Sequence, residues 1–109
     1  MKIGVLSDSH DNIPMVKLIL KKMKDLGVEE LIHAGDIISP FLAPIFCEYN
    51  FKSHFLLGNN DGEKYFLKTM FEKVGTFSED YLKIAIDKRQ IVAMHKPFFI
   101  DEIAESQKY

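Results

Sequence analysis

Lys2-Ile3-Gly4-Val5-Leu6-Ser7-Asp8-Ser9-His10 opens the chain with an apolar run that gives way at once to a carboxylate and an imidazole. The same grammar returns three times. Leu31–Ala34 leads into Gly35-Asp36, Phe55–Leu57 into Gly58-Asn59-Asn60-Asp61, and Ile91–Met94 into His95. Apolar runs this short, bounded by turn residues and separated by helical patterns, read as strands buried in a parallel sheet. The carboxyl ends of such strands lie along one edge, so clusters distant in sequence can converge there. A meeting of Asp8, His10, Asp36, Asn59 and His95 would supply hard oxygen and imidazole donors suited to a divalent metal.

The intervening segments fit that reading. Met15, Val16, Ile19, Leu20, Met23 and Leu26 recur at three- and four-residue spacing, which predicts an amphipathic helix over Ile13–Leu26. Asn12 is placed to cap it, Pro14 suits its first turn, and Gly27 suits its end. Strands are expected at Lys2–Ser7, Glu30–Ala34 and Lys52–Leu57, with a short helix over Phe41–Tyr49 and a longer one over Glu63–Val74 that buries Phe66, Leu67, Met70 and Phe71. Tyr81–Ile86 and Gln90–Met94 flank Asp87-Lys88 as a β-hairpin, and Phe98–Glu105 follows Pro97 as a last helix. The fold class expected is α/β, a βαβαβ-type parallel sheet plus a β-hairpin.

Bulk properties bound the function. A chain of 109 residues with 47% hydrophobic content and mean hydropathy near zero is the size and composition of one soluble domain. No apolar stretch is long enough for a bilayer, and Met1–Leu6 runs straight into polar residues, unlike a signal peptide. Cys47, the only cysteine, excludes an internal disulfide, fits a reducing cytoplasm, and beside Phe46 and Tyr49 is expected as a buried thiol. A net charge of −2 with one arginine, Arg89, leaves no clear nucleic-acid patch. Lys17, Lys21, Lys22 and Lys24 read as a solvated helix face.

Each cluster alone has a plainer explanation. Asp8 and His10 share one side of an extended segment and could bind one ion, or Asp8 could cap a helix beside a surface His10. Gly35-Asp36 could be a turn whose carboxylate binds backbone amides. The glycines of 58–62 suit a tight loop, which does not explain two amides followed by an acid. His33 and His54 read as satisfied core or interface histidines and are assigned no chemistry. Together, the five donors recur at successive strand ends. A paired metal site, with ions about 3.5–4 Å apart, would clamp a phosphate and activate a water for in-line attack.

These residues resemble the calcineurin-like metallophosphoesterase superfamily, and in particular its small bacterial and archaeal phosphodiesterases with the Gly-Asn-Asn-Asp variant. The resemblance runs from Met1–His10 through Ile32-His33-Ala34-Gly35-Asp36 and Leu57–Asp61 to Met94-His95. It implies the α/β/β/α sandwich of that family and two divalent ions, manganese favoured, with nickel, iron or magnesium as alternatives. Asp8 and His10 would hold the first ion, Asp36 would bridge, and Asn59 and His95 would hold the second. Asn60 and Asp61 would be the catalytic pair beside the leaving group.

Three departures qualify the resemblance. Many members carry histidine where this chain has Asn60, which has no titratable proton to give. Ser39 stands where the family often has another acid. The family's later Gly-His-x-His motif is missing, so residues 1–109 read as a metallophosphoesterase domain lacking its C-terminal portion and two ligands. Such a domain is expected to expose an apolar face, favouring self-association or weak stability. The function expected is a metal-dependent phosphodiesterase acting on a small phosphodiester or phosphomonoester. The alternative is a catalytically impaired binding or scaffold module, as a retromer subunit of the same fold shows. A nucleotide-binding domain is disfavoured, since no glycine-rich phosphate loop follows the first strand.

Overall fold

The computed structural model describes residues 1–10, 12–37, 42–57, 64–72 and 74–109, with 64–66 described by backbone alone. Four strands, β1 (Ile3–Leu6), β2 (Glu30–His33), β3 (Lys52–Leu56) and β4 (Gly75–Ser78), form one parallel sheet in the order β1-β2-β3-β4. Helices α1 (Ile13–Asp25), α2 (Ala43–Glu48) and α3 (Lys64–Phe71) make the three crossovers. Strand order that advances one neighbour at a time, with right-handed crossovers, puts all three helices on one face of the sheet. The other face receives the hairpin of β5 (Leu82–Ile86) and β6 (Arg89–Ala93), followed by α4 (Ile100–Glu105). The α/β architecture expected from the sequence is the one observed.

Register explains the two cores. Leu6, His33, Phe55 and Phe77 align across the four strands, as do Gly4, Leu31, Ser53 and Gly75. Both rows face the helices. There Leu31 and Phe55 join Val16, Leu20, Phe46, Leu67 and Phe71 in the main core. Three aromatic rings form its centre: Phe55 meets Phe46 at 5.3 Å and Phe71 at 4.6 Å between centroids, both edge to face. The alternate residues Ile32 and Leu56 face the hairpin and pack with Leu82 and Ile86.

Local chemistry sets the element ends. Asn12 caps α1 as expected, its Oδ1 accepting from the Met15 N–H at 3.2 Å, and Gly27 leaves the helix at a φ of 81°. The hairpin turns on Asp87 and Lys88, both left-handed at φ 49° and 67°, as a two-residue primed turn requires. His54 lies between Glu30 (3.1 Å to Oε2) and Thr76 (2.8 Å to Oγ1), a polar link across β2, β3 and β4 that is buried at Glu30 and His54.

The structure corrects two expectations. The helix extended to Val74 by its pattern stops at Phe71, and Gly75–Ser78 forms a fourth parallel strand. Four residues that begin with glycine and carry one large apolar side chain give too short an alternation to register. Cys47 is exposed, because one helical step beyond the buried Phe46 turns the thiol outward. Val5 is 64% exposed and borders a trough of about 440 Å³ lined by Ile32, Ala34, Ile91, Ala93 and Ile100. Among the described residues no helix is long and apolar enough to cross a membrane.

Close approach of β3 and β4 makes a prediction. A Cβ at Gly75 would land on the Ser53 carbonyl, which belongs to the neighbouring strand's backbone and cannot swing aside. Gly75→Ala is expected to destabilise the fold by about 1–3 kcal/mol. An unchanged urea midpoint would show that the strands part without cost.

Candidate metal centre

The ends of β1 and β2 are stitched together beyond the strands themselves. Ala34 N–H donates to Leu6 O (2.8 Å), Asp8 N–H to Gly35 O (2.8 Å) and His10 N–H to Asp36 O (3.0 Å). This ladder carries the Asp8-Ser9-His10 loop alongside the Gly35-Asp36 turn. Three of its residues have left-handed backbone: Asp8 at φ 55°, His10 at 51° and Asp36 at 59°. Non-glycine residues held there cost on the order of 1–3 kcal/mol each, and such strain gathers at functional sites.

The side chains gather around Asp36. One donor atom each from Asp8, His10 and Asp36 lies within 4.8 Å of the others. Ligand atoms about 2.1 Å from one ion sit roughly 3–4.3 Å apart, so an ion would draw this group together slightly. Asp36 is only 1% exposed, and its two oxygens face two imidazoles. Oδ2 is 3.7 Å from His10 Nε2, and Oδ1 is 3.5 Å from His95 Nε2. Both separations exceed the 2.7–2.9 Å of a charge-assisted hydrogen bond. Separations of this size are compatible with a cation shared by imidazole and carboxylate.

His95 adds a test of fit. Its Nδ1 lies 2.8 Å from Ala34 O, and a carbonyl can only accept, so Nδ1 carries the proton. That leaves Nε2 turned toward Asp36. Metal-binding histidines have this arrangement, with the far nitrogen donating to a backbone carbonyl and the near one presented to the ion. The donor set therefore suits a divalent ion, with buried Asp36 at the centre and Asp8 and His10 exposed beside it.

Of the residues singled out in the sequence, the structure brings Asp8, His10, Asp36 and His95 to one rim. Asn59, Asn60 and Asp61, and the Ser39 position, lie outside the described residues. His33, expected as a satisfied core histidine, is one, with both ring nitrogens hydrogen-bonded. Its partners lie in the ligand loops. Gly35 N–H donates to Nδ1 (3.1 Å), so the proton is on Nε2, which donates to Ser9 Oγ (2.8 Å). Its position three residues before Asp36, at the strand end, was the available signal.

Burial pushes the His33 pKa down from 6.5 to about 4, with Asp36 opposing and His95 adding to the shift. Between those values the unfolded chain binds the proton and the folded one does not. Stability is thus expected to fall as the pH drops from about 6.5 toward 4, by on the order of 3 kcal/mol in all. Urea midpoints measured across that window should flatten in His33→Phe. Parallel curves for variant and wild type would remove His33 from the acid sensitivity.

The chain belongs to the calcineurin-like phosphoesterase superfamily, whose domain profile matches residues 1–109. Within that family it is similar to phosphodiesterase MJ0936 of Methanocaldococcus jannaschii, at 33% identity over 97 residues, covering 87% of this chain. The chain spans 58% of that relative's length. An archaeal phosphodiesterase of known structure superimposes with a TM-score of 0.89 at 32% identity, over all of this chain and 68% of the other. A protein of unknown function from Aquifex aeolicus, AQ665, shares the fold at a TM-score of 0.57 and 17% identity, over 96% of this chain and 68% of its own. These likenesses place the chain among the small archaeal and bacterial phosphodiesterase branch.

Proposed function

We propose that the chain is a divalent-metal-dependent phosphoesterase whose substrates are phosphodiesters. The observation that carries this reading is the Asp36 carboxylate, buried with one oxygen toward His10 and the other toward His95, with Asp8 alongside. Asp8 and His10 would hold one ion, Asp36 would bridge, and His95 with Asn59 would hold the second. When bound, two such ions supply positive charge that draws phosphate oxygens and makes a water nucleophilic near neutral pH. Manganese is the ion favoured by the family resemblance, with nickel, iron or magnesium as alternatives.

The protein's own groups do the rest. Asp8 and His10 lie on the exposed side of the rim, where a phosphate can enter, while Asp36 is screened from water and keeps its two oxygens aimed apart. Asn60 would steady a departing oxygen through its amide without giving it a proton, and Asp61 would hold that amide in place. A carboxamide at this position favours diesters with good leaving groups, which need no general acid.

A test is hydrolysis of a generic aryl phosphodiester by this chain, with manganese and with chelator. Manganese-dependent turnover is expected. Equal rates in both would end the metal-dependent reading. The impaired binding module is favoured by Asn60, which has no titratable proton to give. It predicts calorimetric manganese binding with no turnover.

A further inference from the structure

We infer that His33 is a positioning residue, which ties the Asp8-Ser9-His10 loop to the Gly35-Asp36 turn and so sets the spacing of the ion-binding atoms. The inference rests on the proposed metal centre and adds to it a residue that contacts no ion.

The row across the sheet is Leu6, His33, Phe55 and Phe77. Its other members are apolar, and His33 packs as they do, 5.9 Å from the Phe46 ring and 6.4 Å from Phe55. An apolar side chain would fill this place without the burden of desolvating an imidazole. What the imidazole adds is two hydrogen bonds at opposite ends of one rigid ring. One reaches Ser9, which stands between Asp8 and His10, and the other reaches Gly35, which precedes Asp36. The loops it joins hold three left-handed residues, a conformation that persists only when surrounding contacts impose it. Backbone bonds fix the loops at Asp8 and His10; the His33 bond fixes the residue between them.

The experiment uses the full chain and manganese as the probe. His33→Phe keeps the ring's bulk and removes both bonds, while Ser9→Ala removes one bond at a partly exposed position and leaves the core untouched. Each is expected to weaken manganese binding about 10–100-fold in calorimetry, the range for residues that orient metal ligands. The urea midpoint of Ser9→Ala should stay near that of the wild type, separating positioning from folding. In the double variant the losses should not add, since both changes cut the same link. Wild-type affinity in Ser9→Ala together with a folded His33→Phe of wild-type affinity would overturn the inference while leaving the metal centre standing. If His33→Phe does not fold, wild-type affinity in Ser9→Ala alone overturns it. No manganese binding by the wild type would overturn the centre and the inference together.

Discussion

Asp36→Ala is expected to abolish manganese-dependent hydrolysis of an aryl phosphodiester, with a loss of more than about 100-fold. Residues that merely orient metal ligands account for about 10–100-fold, and Asp36 is the group on which the others converge. Its two oxygens face His10 and His95 at 3.7 and 3.5 Å, so removing it leaves each imidazole without its shared carboxylate. Asp36→Asn sharpens the test. The amide retains the shape and one acceptor oxygen but loses the charge that would bridge two cations, so turnover should fall nearly as far as in the alanine variant. Calorimetry with manganese would report the lost site directly. Wild-type rates in either variant would sink the catalytic reading.

The largest stability effect is expected from Phe55→Ala, at about 3–5 kcal/mol. Phe55 is fully buried at the centre of the aromatic cluster, edge to face with Phe46 and Phe71 and level with His33 in the sheet. Deleting the ring leaves a cavity between sheet and helices that the strands cannot close, because the parallel ladder fixes their spacing. A domain of this size has only about 5–15 kcal/mol of stability in total, so the variant should be partly unfolded at moderate temperature. Thermal melting followed by circular dichroism should show a fall of tens of degrees, at about 4–8 °C per kcal/mol. A fall of a few degrees would mean that the cluster repacks. Leu18→Ala, at a side chain 63% exposed on α1, serves as the contrast and should change little.

Sequence reasoning reached the parallel sheet because β2 and β3 are buried on both faces, and β1 reads as an apolar run although its Val5 is exposed. The ligand rim followed from the same fact, since each run ends in a polar residue at one edge. Gly75–Ser78 escaped for the opposite reason: an edge strand with one large apolar residue resembles the tail of a helix followed by a loop. Cys47 was misplaced because its aromatic neighbours in sequence lie at different angles around α2. The positioning role proposed for His33 is not legible from its burial, which a purely structural histidine also shows. Only the positions of Ser9 and Gly35 distinguish the two. Spacing could say that the Asp8 and Asp36 loops meet, but not that a third side chain from inside the strand would join them.

The left-handed backbone at Asp8 and His10 has a consequence for anyone altering this chain. Glycine would occupy either place with less effort than the residue now there, since it lacks the Cβ that resists that conformation. A screen that rewards thermal robustness alone would therefore be drawn to these two sites and would return hardier proteins stripped of their donors. Selection for resilience and selection for chemistry pull in opposite directions here, at the level of single torsion angles.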